Sequence, residues 1–75
     1  MKQTETPQGS QDGDKIRKLR EDAGLTVTEL AARVGIGAPS LSNIERGVRP
    51  ASLGTLIRIA KELNEQLDTL VKAAA

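Results

Sequence analysis

No cysteine, no histidine and no aromatic side chain occurs among the 75 residues. Without Cys or His, the usual structural zinc sites and the Cys- or His-based nucleophile pairs cannot be built. Without Phe, Tyr or Trp there are none of the stacking platforms that most single-strand nucleic-acid binders use. No apolar run exceeds three residues, so none can span a bilayer, and Met1 is followed by polar residues, not by the apolar core of a secretory signal. The lack of cysteine fits a reducing compartment, and the chain reads as a cytoplasmic protein. The carboxylates are dispersed among Lys and Arg and do not converge, so the expectation is no enzyme, no cofactor and no metal. A chain this short holds one domain at most, near the lower limit for a self-sufficient core.

What is present is charge in near balance and apolar residues at helical spacing. Eleven Lys and Arg stand against ten Asp and Glu, a net charge of +1. Residues 1–13 have no aliphatic side chain after Met1 and are rich in Gln, Thr, Gly, Pro and Ser. Such a stretch cannot bury enough apolar surface to offset its ordering entropy, so it reads as a flexible tail ahead of a domain over 14–75. From Asp14, a plausible N-cap, Ile16, Leu19, Arg20 and Ala23 mark one face of a first helix, which Gly24 can end. Thr26 and Glu29 have the spacing of a capping box, and Leu25 and Leu30 that of a hydrophobic staple, so a second helix starts at Thr26 and Gly35 closes it. Pro39 fits the first turn of a third helix with Leu41 and Ile44 inward, and Gly47 stops it. Ser52 caps a fourth helix, with Leu53, Leu56, Ile57, Ala60 and Leu63 on its inner face and Asn64 just past its end. Leu67, Leu70 and Val71 belong to a short fifth helix, and the fold class is all-α with five helices.

The most constrained window is Val27 to Arg46. Two short helices that cross steeply on a tight turn need a small residue where they cross, and Ala31 supplies it. They need a residue that accepts φ > 0 where the chain is redirected, and Gly35 stands there. They also need buried aliphatics at the positions held by Leu30, Val34, Ile36, Leu41 and Ile44. All seven positions are filled as required, which makes this a helix-turn-helix whose second helix is the candidate reader of duplex DNA.

The run Ile16, Leu19-Arg20, Gly24-Leu25-Thr26, Leu30-Ala31 and Gly35, then Ile44-Glu45-Arg46-Gly47, then Ser52-Leu53, Leu56, Ile59-Ala60 and Leu63, resembles the lambda repressor/Cro-like (Xre-type) DNA-binding domain. The resemblance covers roughly 14–71, and Ile44-Glu45-Arg46-Gly47 is its most specific piece. It implies a five-helix domain that binds operator DNA as a two-fold dimer and regulates transcription. It also implies an ion pair between Arg20 and Glu45, structural in role. The family often has Gln where this chain has Val27, so that phosphate contact is missing, although backbone N–H groups at the helix start remain. By the same correspondence the reading face comprises Gly37, Ala38, Pro39, Ser40, Ser42 and Asn43. Asn43 suits a bidentate contact to adenine, Ala38 and Pro39 suit thymine methyls, and Ser42 can bond to bases. Thr26, Arg33, Ser40, Arg46 and Arg49 surround that face and are the expected phosphate contacts. Lys15, Arg17 and Lys18 alternate with acids and read as a solvated helix surface, as do Arg58 and Lys61 with Glu62 and Glu65.

A single module of this size covers little DNA, which favours a homodimer on a palindromic site. Ile59, Leu63, Leu67, Leu70 and Val71 offer more apolar area than a terminal helix needs, and they form the expected dimer surface. The expected function is therefore a sequence-specific, double-stranded-DNA-binding regulator, read as a repressor. The competing readings are a protein-interaction adaptor built on the same fold and a small antitoxin or controller protein that represses its own operon.

Overall fold

Thr26 opens the second helix as its spacing requires: its Oγ1 accepts the Glu29 amide at 3.0 Å, and Glu29 Oε1 accepts the Thr26 amide at 2.8 Å. In this computed structural model, which describes residues 11–72, the elements follow in the order α1 (Gly13–Asp22), α2 (Val27–Val34), α3 (Ala38–Glu45) and α4 (Leu53–Glu62). A single 3-10 turn, Leu67–Leu70, ends the series. Among the described residues there is no strand, only an isolated antiparallel bridge between Gln11 and Val71.

All four helices close with the same device. A residue two or three positions past each helix donates its amide to a carbonyl five positions back: Leu25 to Arg20, Ile36 to Ala31, Val48 to Asn43 and Glu65 to Ala60. That closure needs a left-handed residue just before the donor. Gly35 takes it between α2 and α3 at φ 86°, and Asn64, the one non-glycine used, takes it after α4 at φ 57°. The turns that redirect the chain are thus the ones its Gly and Asn residues announce.

The core is assembled from Ile16 of α1, Leu30, Ala31 and Val34 of α2, Leu41 and Ile44 of α3, Leu56, Ile59 and Ala60 of α4, Ala51 and Leu70. Ile36 and Leu25 pack against it partly buried. α2 rests on both α3 and α4, while α1 rests on α3 and on the 3-10 turn. Four of the five aliphatic positions of the helix-turn-helix are therefore buried as the pattern requires, and Ile36 is only half-buried.

Four expectations are corrected. Asp12, not Asp14, caps α1, its Oδ1 accepting the Lys15 amide at 3.1 Å. The extra turn contains no apolar residue, so periodicity carries no sign of it, and Asp14 instead sits in the first turn, where an acid favours the helix dipole. Gln11 to Gly13 are therefore part of the folded unit and not of a flexible tail; residues 1–10 lie outside the described region.

The second correction concerns α4. Leu53 and Ile57 are exposed, and Ile59 is wholly buried. Leu53, Leu56, Ile57 and Ala60 make one i, i+3, i+4, i+7 stripe, and Leu56, Ile59, Ala60 and Leu63 make another. Leu56 and Ala60 belong to both, so the pattern alone leaves the helix free to roll by one position. Packing against α2 and the 3-10 turn selects the second stripe.

Third, the fifth helix is only a 3-10 turn. Val71 is extended, with φ −115° and ψ 148°, because it pairs with Gln11, and a helix cannot continue through that geometry. Fourth, Ile59 and Leu70 have no exposed area and dock within their own protomer, so neither is available to a partner.

Candidate nucleic-acid interface

α3 is anchored at its C-terminal end by a buried ion pair. Arg20, in the last turn of α1, donates from Nε to Glu45 Oε2 at 2.8 Å and from Nη2 to Oε1 at 3.2 Å. Its Nη1 donates to the Leu25 carbonyl at 2.8 Å, so one guanidinium joins the end of α1, the start of α2 and the end of α3. The hydrogen bonds donated to Glu45 raise the Arg20 pKa above its ordinary value, and burial opposes that rise. Forked geometry of this kind fixes orientation as well as distance. Ala31 and Gly35 complete the structural set, Ala31 buried at the α2–α3 crossing and Gly35 in the turn.

α3 has Leu41, Ile44 and Glu45 buried, which leaves Pro39 and Arg46 exposed and Asn43 half-buried. Ala38 is half-buried and packs on the core edge, leaving Pro39 as the more prominent apolar contact at the helix start. Ser40 and Ser42 are half-buried. Ser42 lies in the wall of an open groove of about 480 Å³ with Val27, Arg17 and Arg46, where α1, the start of α2 and α3 meet. Asn43 Oδ1 accepts from Arg46 Nη1 at 3.4 Å, a long contact on an exposed surface.

The cations differ in their partners, and Lys15, Arg58, Lys61 and Lys72 are exposed with no ion pair among the described residues. Arg17 pairs with Glu21 and Lys18 with Asp22 along the exposed side of α1, the solvated face that their spacing suggests. Among the described residues no carboxylate lies within ion-pair distance of Arg33, Arg46 or Arg49. All three are exposed. Thr26 is exposed at the start of α2, where its Oγ1 accepts the Glu29 amide. Glu29 itself is held below the ordinary carboxylate range by the Thr26 amide and hydroxyl.

One residue near this surface is invisible in the sequence pattern. Gln11 is 4% exposed, and its amide reaches the end of α3 and the loop beyond it. Nothing distinguishes a single Gln in a polar run, and only the folded contacts reveal it. Among the described residues, no group of acidic side chains could hold a metal ion, and no helix is long and apolar enough to cross a membrane.

The helix-turn-helix family HTH_3 matches residues 16–70. An uncharacterized HTH-type transcriptional regulator of Mycobacterium tuberculosis is 41% identical over 58 residues, which are 77% of this chain and 41% of that protein. The chain thus spans about two fifths of the length of that curated relative. Among solved structures, the restriction-modification controller protein C.AhdI from Aeromonas hydrophila superposes with a TM-score of 0.76 at 28% identity, covering 81% of this chain and 92% of that one. The biofilm master regulator SinR of Bacillus subtilis, in complex with DNA, superposes at 0.72 with 29% identity, covering 76% and 92%.

Proposed function

The chain belongs to the HTH_3 helix-turn-helix family, and from that premise we propose that it is a sequence-specific, double-stranded-DNA-binding transcriptional regulator. The observation that carries the proposal is the outward face of α3, with exposed Arg46 and Arg49 at and just past its end and neither in an ion pair among the described residues. An arginine without a carboxylate is a ready partner for phosphate. In this reading Asn43 and Pro39, with Ala38 and Ser42 beside them, meet base edges in the major groove. Thr26, Arg33, Ser40, Arg46 and Arg49 hold the backbone. The likeness to a regulator crystallised with DNA supports the DNA-binding reading.

The proposal extends to a cytoplasmic repressor that acts as a homodimer on a palindromic operator, with no catalytic role. With Ile59 and Leu70 inside the protomer, Leu63, Leu67 and Val71 are the members of the expected dimer surface that remain partly exposed. The small, arginine-free reading face gives few directional contacts, so DNA shape and half-site spacing contribute to selectivity.

The deciding experiment is selection of binding sites from random duplexes, followed by titration of the selected site across a salt series. A two-fold half-site and a log K that falls steeply with log salt are expected, at about −0.9 for each phosphate neutralised. Enrichment of no sequence, with affinity independent of salt, would overturn the reading and favour a protein-interaction adaptor.

A further inference from the structure

Gln11 lies at the meeting point of three segments. Its backbone is anchored by the bridge to Val71 and by the neighbouring Asp12 amide, which donates to the Leu70 carbonyl at 2.8 Å. Its side chain then reaches across the molecule. Nε2 donates to the Arg49 carbonyl at 2.8 Å and to the Ile44 carbonyl at 3.3 Å, while Oε1 accepts the Ala51 amide at 3.4 Å. A primary amide has two N–H donors and one carbonyl oxygen, and here each has a partner. No other side chain among the described residues hydrogen-bonds the backbone of 44–51, so this amide is the one side-chain tie on the loop that leaves α3.

That loop otherwise hangs from the end of α3: Val48 and Arg49 both donate their amides to the Asn43 carbonyl, at 2.9 and 3.3 Å. The amide side of Arg49 is thus fixed to the reading helix and its carbonyl side to Gln11. The Arg49 side chain is left exposed on a backbone pinned at both ends. We infer that Gln11 is a positioning residue for DNA binding, acting through the backbone of Arg49 to set where that arginine meets a phosphate. The inference rests on the reading of Arg49 as a phosphate contact. A long side chain tethered only at its Cα loses affinity when that Cα wanders, because the contact must then be ordered at the moment of binding.

The test is a double-mutant cycle on duplex DNA. Gln11→Ala, Arg49→Ala and the double variant are titrated against a mixed-sequence duplex and the selected operator over a salt series. Gln11→Met, which keeps the side-chain volume and loses the hydrogen bonds, serves as a second substitution in case the alanine variant folds poorly. Circular dichroism confirms folding at the binding temperature. Arg49→Ala is expected to weaken both duplexes alike and to reduce the salt slope by about 1. Gln11→Met is expected to weaken binding several-fold with a shallower slope, and to have no further effect once Arg49 is alanine. An equal loss from the Gln11 substitution in both backgrounds would overturn the inference, since Gln11 would then act on the fold generally. No loss from Gln11→Met would also overturn it. If Arg49→Ala itself leaves affinity and slope unchanged, the phosphate reading of Arg49 fails and the role of Gln11 falls with it.

Discussion

Gly13 lies directly against the backbone of Glu45: a Cβ built on it would overlap the Glu45 carbonyl oxygen, with the carbonyl carbon at 2.7 Å and the Ile44 oxygen at 2.8 Å. The first turn of α1 and the last turn of α3 thus touch main chain to main chain, and only a residue without a side chain permits it. Gly13→Ala should destabilise the fold by about 1–3 kcal/mol, since neither backbone can yield without moving a helix. Gly54→Ala is the matched control. Its added methyl meets nothing within 4 Å on an exposed stretch of α4, so it should stabilise by up to about 1 kcal/mol. Urea unfolding of the two variants would return opposite signs; equal effects would refute the close approach.

Removing Glu45 or Arg20 singly should cost up to about 3–5 kcal/mol, less for Glu45, since Arg20 would keep the Leu25 carbonyl and Glu21 as partners. Arg20→Met with Glu45→Leu together should cost less than the two singles added, and the shortfall measures the coupling. Denaturant midpoints for the four proteins of that cycle provide the check.

The two faces of α4 make a direct comparison. Ile59→Ala should lose about 2–5 kcal/mol as a buried truncation, whereas Leu53→Ala should change stability by no more than about 0.5 kcal/mol. Thermal melts that reversed this order would return α4 to the orientation first expected from its sequence.

This contrast shows what the sequence conveys and what it does not. The α2–α3 unit is legible because each of its constraints is local: Thr26 with Glu29, Gly35 in the turn, Ala31 at the crossing. The Arg20–Glu45 pair was legible only through family resemblance, since two charges 25 positions apart leave no periodic trace. The roll of α4 was not legible because two perfect apolar stripes share Leu56 and Ala60, and neighbouring elements decide between them. Gln11 was illegible for a different reason. Its partners are backbone carbonyls and an amide, which every residue carries, so no sequence complement identifies them.

On DNA, Asn43→Ala should relax the preference at one base pair by about 1–3 kcal/mol. Arg46→Ala should weaken all duplexes about equally. Since Asn43 Oδ1 accepts from Arg46 in the free protein, the base contact requires the amide to exchange that partner for the base. Competition binding with single-base operator variants separates the two residues, and a change of preferred site in Arg46→Ala would contradict its phosphate role.

The capping box gives a pH signature. Glu29 is held below the ordinary carboxylate range in the folded state, so its contribution is present above the unfolded glutamate pKa and is lost as pH falls through the depressed folded value. Glu29→Gln keeps an acceptor for the Thr26 amide and does not titrate. Relative to that variant, the native protein should lose stability on acidification below the ordinary glutamate range. Parallel stability curves at every pH would remove Glu29 from the account.

The bridge between Gln11 and Val71 joins positions sixty residues apart along the chain. Loop-closure entropy grows with the length enclosed, and this contact encloses nearly all of the described residues. Its closure therefore carries a larger entropic cost than any helical contact in the domain. Losing it would free the Gln11 amide from the end of α3 and leave the capping and turn contacts of α2 and α3 in place.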